Sequence, residues 1–312
     1  MISVLGAGVA GLCAATALAE QGLAVEVILP DDAPRPASAL AGGMLAPFCE
    51  GEIAPEVVVA RGQEAIGWWA ARVQSVRARG TLVLAPPRDQ AELDRFARAT
   101  RGHEWVRPEA LEPELAGRFA RGLFFGAEAH LDPAEALATL RAGLKARGVR
   151  FHPGPPRGTR LVDCRGLGAR DRLADLRAVR GEMVEVLAPE VTLSRPVRLL
   201  HPRFPCYIVP RGGGRFMIGA TMIESSRPGG VTARAVMELL SAAYAVDPAF
   251  AEAELIGTGA GLRPAFPDNV PRLRQDGDRI HLNGMYRHGF LMAPALAGDL
   301  ARLMTKELTH AD

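Results

Sequence analysis

Two arginines sit where a guanidinium usually has an anionic partner. Arg263 lies in Gly259-Ala260-Gly261-Leu262-Arg263-Pro264 and Arg287 in Asn283-Gly284-Met285-Tyr286-Arg287-His288-Gly289-Phe290, both otherwise rich in glycine and apolar residues. The planar fork of a guanidinium meets a carboxylate or phosphate with two parallel hydrogen bonds, so each is a candidate binding residue. Near the N-terminus, Gly6-Ala7-Gly8-Val9-Ala10-Gly11 offers backbone instead of side chains. In such a motif the first glycine permits a tight turn, the second lets the backbone approach a pyrophosphate, and the third lets a helix pack on a strand. The anion then sits at the helix N-terminus. A third stretch, Ala39-Leu40-Ala41-Gly42-Gly43-Met44-Leu45-Ala46-Pro47, is small, apolar and flexible, and reads better as a wall for a flat ring than as a surface loop.

The elements that must hold these groups follow from periodicity. Ile2-Ser3-Val4-Leu5 is an apolar run before the glycines, an Ala/Leu-rich segment continues to Gly22, and 23–29 is a second apolar run. That is strand, glycine turn, helix and strand, the context that makes the motif a dinucleotide-binding turn. One position departs from the pattern: the second strand should end on an acid for the ribose hydroxyls, and Leu29 stands there. Asp31 or Asp32 either takes that role or forms a solvated turn.

Helices are predicted over 55–76 and 89–100, with Trp68 and Trp69 as packing residues. Asp132-Pro133-Ala134-Glu135 opens a capped helix that stops at Gly148, a strand starts at 149–152, and 160–164 is a further strand of the same sheet, turning at Gly166 and Gly168. From Arg180 the texture becomes β-rich, with strands over 182–187, 206–210 and 215–220 around the turn Gly212-Gly213-Gly214. Thr232 caps a helix to about Ala245, 255–259 and 280–283 are strand-like, and a last helix covers 294–307. The expected architecture is α/β (α+β overall). A Rossmann-like nucleotide-binding domain made of 1–50, 130–180 and 255–312 is interleaved with a substrate domain, 51–129 and 181–254, on an antiparallel or mixed sheet.

Composition removes several classes. The 312 residues are 48% hydrophobic and 23% charged, which is globular and leaves no room for a disordered or coiled-coil chain. Lys and Arg total 37 against 35 Asp and Glu, spread without a basic block, so no nucleic-acid partner is expected. Cys13, Cys49, Cys164 and Cys206 are far apart and lack ligand-like spacing, so no metal site and no disulfide framework is expected, and a reducing cytoplasm fits. The uncharged stretch 2–19 is broken by three glycines and lacks a basic leader, so neither targeting nor membrane insertion is expected from it.

Taken in order, the N-terminal glycine motif, Gly42-Gly43-Met44-Leu45-Ala46-Pro47, Tyr207-Ile208-Val209-Pro210-Arg211, Ile218-Gly219-Ala220-Thr221-Met222, Gly261-Leu262-Arg263-Pro264 and Tyr286-Arg287-His288-Gly289 carry a resemblance. The chain resembles FAD-dependent amine oxidoreductases of the D-amino-acid oxidase superfamily, most closely the glycine oxidase family of thiamine biosynthesis. The likeness covers essentially the whole chain, which is shorter than its relatives between Gly154 and Arg160.

The resemblance implies FAD as cofactor, contacted by Gly6, Ala7, Gly8, Val9, Ala10, Gly11, Asp31, Gly42, Gly43, Met44, Cys164, Gly166 and Gly261, with Arg263, Arg287, His288, Gly289, Phe290 and Leu291 closing the envelope. It implies that Arg263 pairs with the carboxylate of a small amino acid, Tyr207 offers a hydroxyl at the same pocket, Arg287 is a second basic position and Met222 a wall. It also implies hydride transfer from the α-carbon to flavin N5, reoxidation by O2 to give H2O2, an imine product available for thiazole formation, and a homo-oligomer. His288 reads as structural rather than as the amine's proton acceptor. A helix N-terminus near Met292 either faces the flavin pyrimidine edge or belongs to a plain packing helix. Two other readings stay open: a related dehydrogenase using an acceptor other than O2, and a weakly FAD-binding homologue without catalysis, which Leu29 and the short 154–160 link would favour.

Overall fold

The computed structural model describes residues 1–29, 36–201 and 205–309; Asp31 and Asp32 lie outside the described residues. The first half runs β1 (Ile2–Leu5), α1 (Val9–Glu20), β2 (Val25–Ile28), β3 (Met44–Leu45), α2 (Pro47–Glu50), α3 (Glu56–Gly62), α4 (Glu64–Ala70), β4 (Thr81–Leu84), α5 (Gln90–Ala99), β5 (Glu104–Val106), β6 (Gly122–Phe125), β7 (Ala129–His130) and α6 (Pro133–Ala146). There follow β8 (Arg150–His152), β9 (Arg160–Asp163), β10 (Arg177–Leu187), β11 (Val197–Leu199), β12 (Cys206–Gly212), β13 (Arg215–Gly219), β14 (Ile223–Glu224), α7 (Ala233–Val246), β15 (Glu254–Ala265), β16 (Arg272–Asp276), β17 (Arg279–Asn283) and α8 (Gly289–Thr309).

A six-stranded sheet in the order β16-β17-β9-β1-β2-β8 is parallel except at the β16–β17 edge. Helix α1 is buried on every side from Val9 to Leu18, as its uncharged sequence requires, because it is packed between this sheet and helices α6 and α8. It stops at Gly22, whose φ of 76° suits a glycine after a helix end. Helix α6 starts where its cap predicts, the Asp132 carboxylate accepting from the N–H groups of Ala134 and Glu135. The short link before β9 is tied to the sheet by polar groups. Ser3 donates to Glu26 (2.6 Å), Glu26 accepts the Arg157 N–H (2.6 Å), and the Gly158 N–H reaches Ser3 Oγ (2.8 Å).

The second sheet has nine strands, β14-β10-β13-β12-β11-β4-β6-β5 with β15 flanking β10, and carries its own apolar core beneath α7. Among the described residues no helix is long and apolar enough to cross a membrane.

Four expectations need correction. The helix expected over 55–76 is two helices that break at Gln63 and end at Ala70, with Gly62 at the break packed against Pro47 and Leu291. The β10 strand begins at Arg177, five residues before its expected start. The strand expected over 255–259 is longer: β15 runs unbroken from Glu254 to Ala265 and pairs antiparallel with β10 along its length. Residues 254–265, expected in the nucleotide-binding part, therefore belong to the second sheet. The last helix starts at Gly289, not at Pro294 or Met292, and Pro294 lies inside it. Proline cannot donate to the carbonyl four residues back, and that carbonyl, Phe290 O, instead accepts the Trp69 indole N–H at 2.8 Å.

Candidate active site

The glycine motif is shaped by contacts that leave no volume for side chains. A Cβ on Gly11 would stand 1.9 Å from Gly6 O, and one on Gly6 2.9 Å from Cys164 O. Gly6 has φ 99°, the turn that carries β1 into α1. The Val9 N–H donates to Ser38 Oγ at 3.0 Å, while the Ala10 and Gly11 N–H groups have no partner among the described residues. Unpartnered amides at a helix N-terminus favour an anion, and a pyrophosphate fits here. The start of α8 joins the same place, since a Cβ on Gly289 would lie 3.1 Å from Val9 Cγ1. Cys164 and Gly166 (φ 59°) border the turn, with Gly166 O accepting from Asn283 Nδ2 at 3.0 Å. Burial pushes the Cys164 thiol well above its ordinary range, so it is an inert wall. Phe290 and Leu291 are 5% and 3% exposed and pack in the core, leaving only their backbone to offer.

The small-residue wall is held from behind. Gly43 (φ 69°) accepts the Leu131 N–H at 2.9 Å, and a Cβ there would be 2.2 Å from Leu131 O. The Arg211 guanidinium bonds three carbonyls at once: Leu131 O at 2.8 Å, Ala41 O at 3.1 Å and Gly42 O at 2.9 Å. Enclosure lowers its pKa from the usual guanidinium value, and the nearby Asp132 and Glu185 charges oppose that. Tyr207, on β12, lays its ring against Gly42, where a Cβ would meet Cε2 at 2.7 Å.

Arg263 and Arg287 are brought together by backbone. The Tyr286 N–H donates to Pro264 O at 2.7 Å, stitching the residue after one arginine to the residue before the other. Arg263 lies on β15 and folds over Gly181 of β10, where a Cβ would be 2.2 Å from Nη2. Its recorded hydrogen bond among the described residues runs from Nη1 to Thr221 O at 3.1 Å. The next residue, Met222, is 46% exposed and places Sδ 3.4 Å from Arg287 Nη1 and 3.6 Å from Tyr286 Oη. The two guanidiniums thus flank one dipeptide at an opening to solvent.

The second arginine is not a free cation. Arg287 Nη2 donates to Glu50 Oε1 at 2.8 Å, and its Nε lies 2.7 Å from Oε2. His288 Nδ1 is 3.2 Å from the same Oε2, and the ring is 1% exposed. Burial works against ionising Glu50, but the Arg287 charge and His288 overcome it and hold the carboxyl well below its usual range. Arg287 is raised correspondingly, Glu50 outweighing burial. The backbone next to Glu50 is anchored in turn. The Cys49 N–H donates to the buried Glu128 at 2.8 Å, Arg198 reaches Cys49 O at 3.4 Å, and Glu52 binds Arg198 (2.5 Å) and Arg95 (2.6 Å).

Of the residues picked out in the sequence, Arg263, Arg287, Met222 and His288 come together in this cluster, with Gly261 two residues along β15 from Arg263, while Tyr207, Gly42 and Gly43 meet at the small-residue wall and Met44 pairs with His130 next to it. Asp31 lies outside the described residues. Sequence reasoning missed Ser38, Glu50 and Glu128 and saw Arg211 only as part of a motif. A buried-acid signal was available for Glu50, a lone carboxylate ending an apolar run that starts at Ala46.

Residues 1–303 match the family model described as DAO, FAD dependent oxidoreductase. The chain is 55% identical over 98% of its length, and 97% of the other protein's, to a putative thiamine biosynthesis oxidoreductase ThiO of Rhizobium etli. It is 28% identical to a glycine oxidase of Pseudomonas aeruginosa, covering 97% of this chain and 94% of that one. Among solved structures, an iminodiacetate oxidase from Chelativorans superposes with a TM-score of 0.83 at 22% identity over 98% of this chain and 95% of that one. A glycine oxidase from Geobacillus kaustophilus gives a TM-score of 0.80 at 23% identity, covering 97% of this chain and 94% of the other. At those identities the superpositions speak for the fold.

Proposed function

The chain belongs to the FAD dependent oxidoreductase family, and from that premise we propose that it oxidises glycine or a similarly small amino acid to its imine, with O2 as electron acceptor and H2O2 as by-product. The imine feeds the thiazole branch of thiamine synthesis or hydrolyses to an oxoacid. The observation that carries the reading is the pose of Arg263, laid across Gly181 and anchored by one nitrogen to Thr221 O beside the Met222 opening.

When bound, FAD supplies the two-electron acceptor at N5 for the hydride of the substrate α-carbon. The chain's own residues do the rest. The Ala10 and Gly11 amides and the Ser38 hydroxyl face the pyrophosphate at the start of α1. Gly42 to Met44, braced by Arg211, form the ring's wall, and the α8 N-terminus supports negative charge on the ring. Arg263 takes the substrate carboxylate in a two-pronged contact that fixes the α-carbon, a positioning effect able to lower a barrier by several kcal/mol. Tyr207 and Met222 close the small volume around that carbon. The amine must be neutral before hydride leaves, and it releases its proton to water at the open Met222 side, since His288 is 1% exposed and turned to Glu50.

The test is the visible spectrum of purified protein with anaerobic glycine, then air, for wild type and Arg263→Ala. Bleaching by glycine and recovery in air support the reading. Bleaching without recovery assigns a different electron acceptor, and full turnover in the Arg263→Ala variant removes that residue from the role.

A further inference from the structure

Two guanidiniums flank the Thr221-Met222 dipeptide, yet a monocarboxylic amino acid needs one. Beside the Thr221-Met222 dipeptide stand Arg263, the Arg287–Glu50 pair and, at the Thr221 hydroxyl, the mutually paired Glu182 and Arg180, which together leave a net single positive charge that one carboxylate neutralises. We propose that Glu50 is the residue that limits the substrate to one carboxylate: by holding Arg287 in an ion pair it leaves Arg263 as the guanidinium for substrate and turns away dicarboxylic amines such as iminodiacetate. The inference rests on the amino-acid oxidase reading of this same site.

Three features support it. Arg287 directs Nη2 and Nε at the two Glu50 oxygens and Nη1 at the Met222 sulfur, so its charge is already paired by a carboxylate. A second substrate carboxylate would face the Glu50 carboxylate or have to displace it. Displacement is opposed because both Glu50 oxygens face the Arg287 guanidinium and Oε2 lies 3.2 Å from His288 Nδ1, while the backbone one residue earlier is anchored at the Cys49 N–H by Glu128 and at the Cys49 carbonyl by Arg198. A carboxylate 16% exposed and stripped of its guanidinium would be left buried and unpaired. Discrimination here is therefore by a fixed repulsive charge as well as by fit.

The variant that reads this is Glu50→Gln, isosteric and uncharged. The ratio of kcat/KM for iminodiacetate to that for glycine should rise at least about tenfold over wild type, mainly through KM for the diacid. In the double variant Glu50→Gln/Arg287→Met the gain should vanish, because it requires the freed guanidinium. An unchanged ratio in Glu50→Gln, or a gain that survives Arg287→Met, overturns the proposal. A second measurement needs no variant: perturbation of the wild-type flavin spectrum by acetate and by malonate. Acetate should bind about tenfold tighter or more, and malonate binding as tightly overturns the proposal even if Glu50→Gln fails to fold. The underlying reading fails separately, by wild-type protein that carries flavin and oxidises no small amine while still preferring acetate to malonate.

Discussion

The proposed cofactor cradle and the proposed substrate site are built on opposite principles. Around β1 and α1 the recognising groups are backbone amides, and the residue types matter by what they lack: Gly6 and Gly11 have neighbours at 2.9 and 1.9 Å from where a Cβ would be. Between the β10–β15 pair and the start of α8 the groups placed to recognise a ligand are long side chains, Arg263 laid over Gly181 and tied to Thr221 O, and Arg287 paired with Glu50. The first kind of site tolerates no substitution but encodes little beyond an anion. The second tolerates graded changes, and each grade alters chemistry.

That contrast breaks if Gly11→Ala yields soluble, fully flavinylated protein. The expected result is loss of yellow folded protein, since a Cβ pressed on backbone has nothing flexible to displace; the strain is ~3 kcal/mol or more. Next in size, Arg263→Ala should keep its flavin and lose turnover by roughly 100- to 1000-fold, with Arg263→Lys recovering part of it, in steady-state kinetics with glycine. A cradle-like, all-or-nothing response in both variants would erase the distinction.

The buried Glu128 sharpens it through pH. Burial pushes its carboxyl up to about 7, against an ordinary 4.5. Because the folded value is the higher one, the stabilisation is complete below the unfolded pKa and is lost as pH rises through about 7. Wild type should lose roughly 3 kcal/mol relative to Glu128→Gln between pH 4.5 and 8 by urea unfolding, and parallel curves would refute it. Glu26, in the nucleotide sheet, runs the other way. Burial is outweighed by hydrogen bonds from Ser3, His152 and the Arg157 N–H, its carboxyl is held at about 2, and the stabilisation fades only as pH falls toward that value. The smallest effect is Trp69→Phe, which deprives Phe290 O of its indole donor at a cost of about 1 kcal/mol in thermal or urea unfolding.

How legible each region was follows from the same contrast. The cradle could be read because glycine spacing, an uncharged helix and a capped α6 are local signals that tertiary packing had no reason to override. The second half of β15 could not, because Gly259 and Gly261 interrupt the apolar run that marks the strand over 255–259. They are glycine because Leu40 and Met183 crowd Gly259 and Leu40 with Ala37 crowds Gly261, a cause far away in sequence. Glu50 stayed hidden for a related reason: its meaning depends on Arg287, 237 residues later. Arg263 and Arg287 were legible as anion seekers, but nothing local said that one of them is already satisfied. Pro294 was read as a boundary by its usual effect on helices, and the indole of Trp69 removes the penalty that justified that reading.

The sheet that carries the cradle is assembled from distant parts of the chain: β1 sits between β2 and β9, β9 pairs with β17, and α8 lies against the beginning of α1. During synthesis the glycine turn leaves the ribosome first, yet β9, the strand on the other side of β1 from β2, begins only at Arg160 and the turn's companion helix only at Gly289. A nascent chain therefore carries the fingerprint long before it owns a pocket. Cofactor loading is an act of the finished polypeptide, and a truncation that removes the last helix should leave a chain that reads as a dinucleotide binder yet holds none.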